Sequence, residues 1–218
     1  MIAPRVFRNL VRAAGVAAAV SSAVVGVPTD VPSADADPCP DVEVVFARGT
    51  GQASGVGQVG QAFIDSLGPQ LGGRSMGVYA VNYPATTAFA TSAQAGSDDT
   101  VAHVGDMIVR CPRTRLVLGG FSQGAGVMDL ATKALPAQAD DHVAAIAVFG
   151  NPTSPLAGSL AGTVFPPIGP PYAAKTIDEC AAGDPACSDG SHINVFAHGS
   201  YVQSGMTAQA ANFVAARL

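Results

Sequence analysis

An α/β fold with a mainly parallel sheet is predicted by this 218-residue sequence on three observations. Short β-type runs alternate with longer stretches of helical periodicity. The run Val143 to Phe149 is almost continuously apolar, as a strand covered on both faces must be. No internal repeat or linker divides the chain once its N-terminal segment is set aside.

The elements follow in order. Val42 to Ala47 reads as a strand. Gly55 to Leu71 carries Val59, Phe63, Ile64, Leu67 and Leu71 at helical spacing. Val78 to Val81 is a second strand, ended by Asn82-Tyr83-Pro84. Asp98 to Val109 suits a helix with Val101, Val104, Ile108 and Val109 roughly on one face. Arg115 to Gly119 is a third strand, and Gln123 to Leu135 a helix broken by Pro136. After the strand Val143 to Phe149, the stretch Gly158 to Tyr172 reads as an ordered surface loop, and a last helix fits Val202 to Leu218. Parallel sheets of this kind put their sites at the carboxyl ends of strands. Arg48 to Gln52, Asn82 to Pro84, Ser122 and Asn151-Pro152 fall there.

The N-terminus has a different character. Arg5, Arg8 and Arg12 precede an uncharged, largely apolar run from Ala13 to Val27, and Ala34-Asp35-Ala36 offers small residues for cleavage. That is the layout of an export signal over residues 1–36 with one domain over 37–218. The apolar run is short of the roughly 20 residues a bilayer span needs, so no stable membrane anchor is expected. Removing the segment takes away three of 11 basic and two of 16 acidic side chains, leaving the remainder acidic. No basic patch stands out, which speaks against a nucleic-acid partner. Four Cys, all beyond the signal, read as two disulfides in an exported chain. Cys180 and Cys187 enclose a short turn-rich loop and pair locally, which leaves Cys39 with Cys111. No Cys-x-x-Cys spacing suggests a metal.

The residues that carry chemistry centre on Gly120-Phe121-Ser122-Gln123-Gly124. This Gly-x-Ser-x-Gly leaves a predicted strand and enters a predicted helix, the context in which a serine is exposed as a nucleophile. A serine hydroxyl needs a base. With the order serine, acid, histidine, only His192 and His198 of the four His leave room for an acid between. His198, in a short loop before the last helix, is favoured. Asp178, Glu179, Asp184 and Asp189 are the candidate acids, and Asp184 sits inside the Cys180–Cys187 loop. Local chemistry leaves it balanced between an orienting carboxylate and a turn residue of Gly183-Asp184-Pro185. The N–H of Gln123 and a group of the Gly-rich Arg48 to Gln52 loop, Thr50, are the candidate oxyanion donors. Gly55-Val56-Gly57-Gln58-Val59-Gly60 is a literal dinucleotide fingerprint. It stands apart from the preceding strand and lacks a ribose-binding acid, so no nucleotide cofactor is expected.

With these residues in view, the sequence resembles the cutinase family, close to its bacterial cutinase-like esterases. The likeness rests on Val45-Phe46-Ala47-Arg48-Gly49-Thr50, the serine motif, Cys180-x-x-x-Asp184-x-x-Cys187 and Ala197-His198. It implies a small α/β-hydrolase, a three-layer α/β/α sandwich with little or no lid. It implies Ser122 as nucleophile, Asp184 as acid, His198 as base, Thr50 and Gln123 in the oxyanion hole, and bridges Cys39–Cys111 and Cys180–Cys187. Cutinases often have Ser where Thr50 stands, and the extra methyl could narrow the hole. The implied substrates are carboxylic esters, from short soluble ones to lipids or polyesters, met at an interface by a secreted monomer without cofactor or metal. The apolar segments from Phe165 to Ile168 and from Ile193 to Phe196 are expected to flank the acyl site. An acyltransferase, or a weakly catalytic lipid- or polymer-binding protein, would use the same groups.

Overall fold

The computed structural model describes residues 39–218; the export signal expected over 1–36 lies outside them. Five strands, β1 (Val42–Ala47), β2 (Met76–Ala80), β3 (Arg115–Phe121), β4 (Val143–Phe149) and β5 (Thr176–Glu179), form one sheet. Every pairing is parallel and the order is β2-β1-β3-β4-β5. The helices are α1 (Gly57–Leu67), α2 (Phe89–Arg110), α3 (Gln123–Ala134), the single-turn α4 (Ala139–His142), α5 (Pro155–Ala161) and α6 (Met206–Ala215).

Alternation along the strands builds two cores. Val42, Val44 and Phe46 of β1 pack with Val59, Phe63 and Leu67 of α1 and with Ala210, Ala211 and Val214 of α6. Val45 and Ala47 face the other way, onto Val104 of α2 and Ala125 and Met128 of α3. The result is the expected three-layer sandwich. Because β1 leads outward to β2 and the chain then crosses to β3, the strand order reverses between β1 and β3. The crevice beyond their carboxyl ends is therefore the topological switch point. Ala47 pairs with Gly120 there, so the loops that carry Thr50 and Ser122 leave adjacent strands side by side. Both disulfides form as expected, Cys39–Cys111 and Cys180–Cys187. Among the described residues no helix is long and apolar enough to cross a membrane.

Several elements differ from the expectation. Helix α2 begins at Phe89, not near Asp98. Its first half buries Ser92, Ala93, Gly96 and Ser97 instead of large apolar groups, because it lies close against α3. A Cβ at Gly96 would come within 2.7 Å of Val127. The stretch read as a loop is entered by α5, whose N-cap Ser154 accepts a hydrogen bond from the Ala157 N–H. It also holds a 3₁₀ turn over Pro170–Lys175. Strand β5 is an addition to the expected elements, since Asp178 and Glu179 interrupt its apolar character. The last helix starts at Met206, after the left-handed Gly205, and not at Val202.

Candidate active site

Ser122 occupies the sharp bend between β3 and α3 with φ 56° and ψ −122°. It is one of two non-glycine residues with positive φ among the described residues. A strained serine persists there because the bend is too tight for side chains on either side. A Cβ at Gly120 would stand 2.1 Å from the Gly124 carbonyl oxygen, and one at Gly124 would stand 2.0 Å from that of Ala47. Both spacer glycines of the motif are thus demanded by backbone contact. The Ser122 N–H donates to the Phe149 carbonyl at 2.9 Å, tying the bend to β4.

His198 lies on a 3₁₀ turn, Ala197–Gly199, that swings it over the serine. Its Nε2 is 2.9 Å from Ser122 Oγ, and its Nδ1 is 2.9 Å from both oxygens of Asp184. The Phe121 ring stacks against the imidazole with centroids 4.9 Å apart. The His198 side chain is 29% exposed and that of Asp184 fully buried. Burial alone would raise the Asp184 pKa. Hydrogen bonds from His198, from the Tyr201 hydroxyl and from the Ala186 N–H (2.8 Å) outweigh it and hold the carboxyl below its ordinary value. The Asp184 N–H donates to Ala181 O inside the disulfide loop, and its carbonyl accepts from the N–H groups of Cys187 and of Ser188 just past the bridge.

The other candidates fall elsewhere. His192 is exposed. His103 pairs with Glu43 at 2.9 Å. Asp178 meets Asn151 Nδ2 at 3.3 Å, Glu179 lies at the end of β5 with an unpartnered oxygen, and Asp189 caps Ser191. Among the described residues no group of three or more His, Cys, Asp or Glu is arranged to hold a metal ion.

The two predicted oxyanion donors flank the bend. The Gln123 N–H opens α3, where no intrahelical acceptor exists for it. Its side chain is anchored away from the site, donating to Thr86 O at 2.8 Å and accepting from Ser92 Oγ at 3.0 Å. The Thr50 hydroxyl is buried without a protein partner. The loop that carries it is held by Arg48, whose buried bracing role has no signature in the sequence. The buried guanidinium donates to Tyr83 O at 2.8 Å and to Gln52 O at 2.9 Å, and the Tyr83 hydroxyl returns a hydrogen bond to Arg48 O. Gly49 N–H donates to Gln52 Oε1 at 2.7 Å, closing the turn.

A cavity of about 260 Å³ opens beside Ser122 and His198, walled by Phe89, Ala157, Leu160, Phe165 and Val195. Of the four apolar residues expected to flank the site, Phe165 is in this wall. The other three are corrected by the structure. Ile168 packs onto the α2/α3 core. Ile193 borders a separate groove with Leu156 and Asp189. Phe196 is 85% exposed, turned outward because its segment is a turn and not a strand. Val195, within the segment from Ile193 to Phe196 expected to flank the site, is also in this wall. Leu160 joins it with no signal in the sequence, because α5 falls where a surface loop is expected. The whole arrangement suits proton removal from Ser122 by His198 and attack on an electrophilic carbon held in the crevice.

Comparison with known proteins bears on this site. Residues 38–218 match the family model described as Cutinase. The chain is 56% identical to Carboxylesterase Culp1 of Mycobacterium tuberculosis over 212 residues, covering 97% of each chain. It is 50% identical to Phospholipase Culp4 of the same organism over 190 residues, covering 83% of this chain and 80% of the other. Among solved structures, a Trichoderma reesei cutinase in complex with a phosphonate inhibitor superposes with TM-score 0.65 at 36% identity, over 82% of this chain and 76% of that one.

Proposed function

Because the chain belongs to the cutinase family and is a carboxylic ester hydrolase, we propose that it is exported and works through an acyl-enzyme on Ser122. The observation that carries the mechanism is the unbroken hydrogen-bonded line from Ser122 Oγ through His198 to the buried Asp184.

His198 Nε2 takes the Ser122 proton as Oγ attacks the ester carbon, and Asp184 stabilises the imidazolium that results without accepting its proton. The oxyanion is met by the N–H of Gln123 and by Thr50, each donor contributing about 3 kcal/mol to the transition state. The imidazolium then protonates the departing alcohol, leaving the acyl group on Oγ. Water, deprotonated by the same Nε2, attacks the acyl carbon, and the acid leaves as Ser122 regains its proton. The apolar cavity between α5 and the His198 turn takes the acyl chain.

An interface is the natural setting for such a substrate. Leu160 and Val195 line the cavity yet are 71% and 65% exposed, and their neighbours Val164 and Phe196 are also bare. Two disulfides suit an oxidising compartment outside the cell. One copy of the chain supplies every group named, so a monomer suffices.

The test is turnover of p-nitrophenyl esters by the mature protein. Ser122→Ala should cut kcat by more than about 10⁴-fold with an unchanged melting transition. A variant that keeps substantial turnover rules out the acyl-enzyme.

A further inference from the structure

We propose that Tyr201 is a positioning residue for the reaction, its hydroxyl fixing the Asp184 carboxylate so that the carboxylate can hold His198 toward Ser122. The inference rests on reading those three residues as the catalytic triad. Tyr201 is fully buried on the turn that follows His198. Its hydroxyl oxygen accepts the Ala181 N–H at 3.2 Å. The single hydroxyl proton then goes to the anionic Asp184 Oδ2 in preference to the disulfide sulfur of Cys187, a weak acceptor 3.7 Å away.

The carboxylate is then held on both sides. Oδ1 receives the Ala186 N–H and Oδ2 the Tyr201 hydroxyl, while His198 Nδ1 sits 2.9 Å from each oxygen. Without the phenol, one oxygen has only the imidazole it is meant to orient, and the carboxylate can turn about its Cβ–Cγ bond. The phenol is fixed in turn by the strands that fix the nucleophile. Its ring meets Phe121 and Phe149 edge-on, with centroids 5.8 and 5.9 Å away. Phe121 is also the ring that stacks on His198. A Cβ at Gly150 would stand 3.0 Å from both Asp184 Oδ2 and the Tyr201 oxygen, so the backbone closes the remaining side. Besides Asp184, Asp178 on β5 is the other charged group that acts on the hydroxyl, and it is engaged by Asn151.

The experiment measures kcat/KM against pH with p-nitrophenyl butyrate. Tyr201→Phe should lower kcat/KM about tenfold, chiefly through kcat, because one hydrogen bond to a charged group is lost. The acid limb should move up by about half a pH unit, since a carboxylate that has lost a donor is more basic and holds the imidazolium more tightly. 3-Fluorotyrosine incorporated at position 201 keeps the packing, donates more strongly, and should move the limb down; it also reads the effect if Tyr201→Phe folds poorly. An acid limb that stays put in both proteins, even with lowered activity, leaves Tyr201 a packing residue and overturns the proposal. Ser122→Ala, run alongside, separates the two readings. If it is inert while the limb stays fixed, only the Tyr201 inference fails; if it turns over, the triad reading fails as well.

Discussion

Asp184 and Asp129 are both fully buried, one in the disulfide loop and the other two turns into α3 behind the nucleophile. They are solvated by the protein in opposite ways. Asp184 receives donors from His198, Tyr201 and the Ala186 backbone, and its pKa lies below the ordinary carboxylate value. Asp129 has a single distant donor, Asn151 Nδ2 at 3.3 Å, and its Oδ2 has no protein partner. Burial therefore pushes its pKa up to about 7. Asn151 and the Lys133 charge pull it down less than burial raises it, and Asp178 adds to the rise. Both side chains are closed to solvent yet prefer opposite charge states, because the fixed donors around Asp184 outweigh its burial while the one distant donor to Asp129 does not. The carboxylate beside the reacting groups is the one supplied with donors.

The comparison breaks most visibly at Asp184. Asp184→Asn removes the acceptor that sets the imidazole tautomer, and kcat on a soluble ester should fall about 10⁴-fold. A loss below tenfold would mean that the carboxylate is a loop residue and not an orienting group. At Asp129 the consequence is in stability. Its folded pKa is raised above the unfolded value, so its contribution is fully present below about pH 4 and is lost as pH rises through about 7. Asp129→Asn should accordingly flatten that part of the pH–stability curve and make the protein more stable at pH 8, by up to a few kcal/mol. Chemical denaturation at pH 5 and pH 8 measures this. A variant with an unaltered pH slope would show that Asp129 titrates normally.

The same contrast explains what the sequence made legible. The serine bend was readable because its determinants are local: Gly120 and Gly124 are required by backbone contacts within a few residues of Ser122 and at the neighbouring strand. Chain order narrows the base to His192 or His198, but local chemistry leaves Asp184 balanced between an orienting acid and a turn residue, and only the resemblance to the cutinase family favours the acid. Asp129 was silent, since an acid on a helix signals nothing until the packing of β4 and β5 shuts out water around it. Strand β5 is hidden by Asp178 and Glu179, whose charge breaks the apolar pattern that marks strands. The early half of α2 was hidden because small residues pack it against α3. Ile193 and Phe196 misled for the converse reason: an apolar side chain on a turn has no periodicity to say which way it faces.

The smallest effect separates the donors from the loop that carries two of them. The Cys180–Cys187 bridge joins cysteines seven positions apart around Asp184, and the Ala181 and Ala186 N–H groups both lie inside the loop. Replacing both cysteines (Cys180→Ser with Cys187→Ser) leaves every donor in the chain but frees the loop. The loss of stability should be about 2 kcal/mol. Turnover should fall only a few-fold, because the Tyr201 ring is held by Phe121 and Phe149, and the bridge adds only the weak contact of Cys187 Sγ with its hydroxyl at 3.7 Å. Asp129 lies outside the loop, so the slope of stability against pH between pH 5 and pH 8 should match that of the parent. Normal turnover in the bridge-free protein would show that the hydrogen bonds alone fix the acid. A collapse as deep as that of Asp184→Asn would show that the bridge itself does, with the aromatic clamp contributing little.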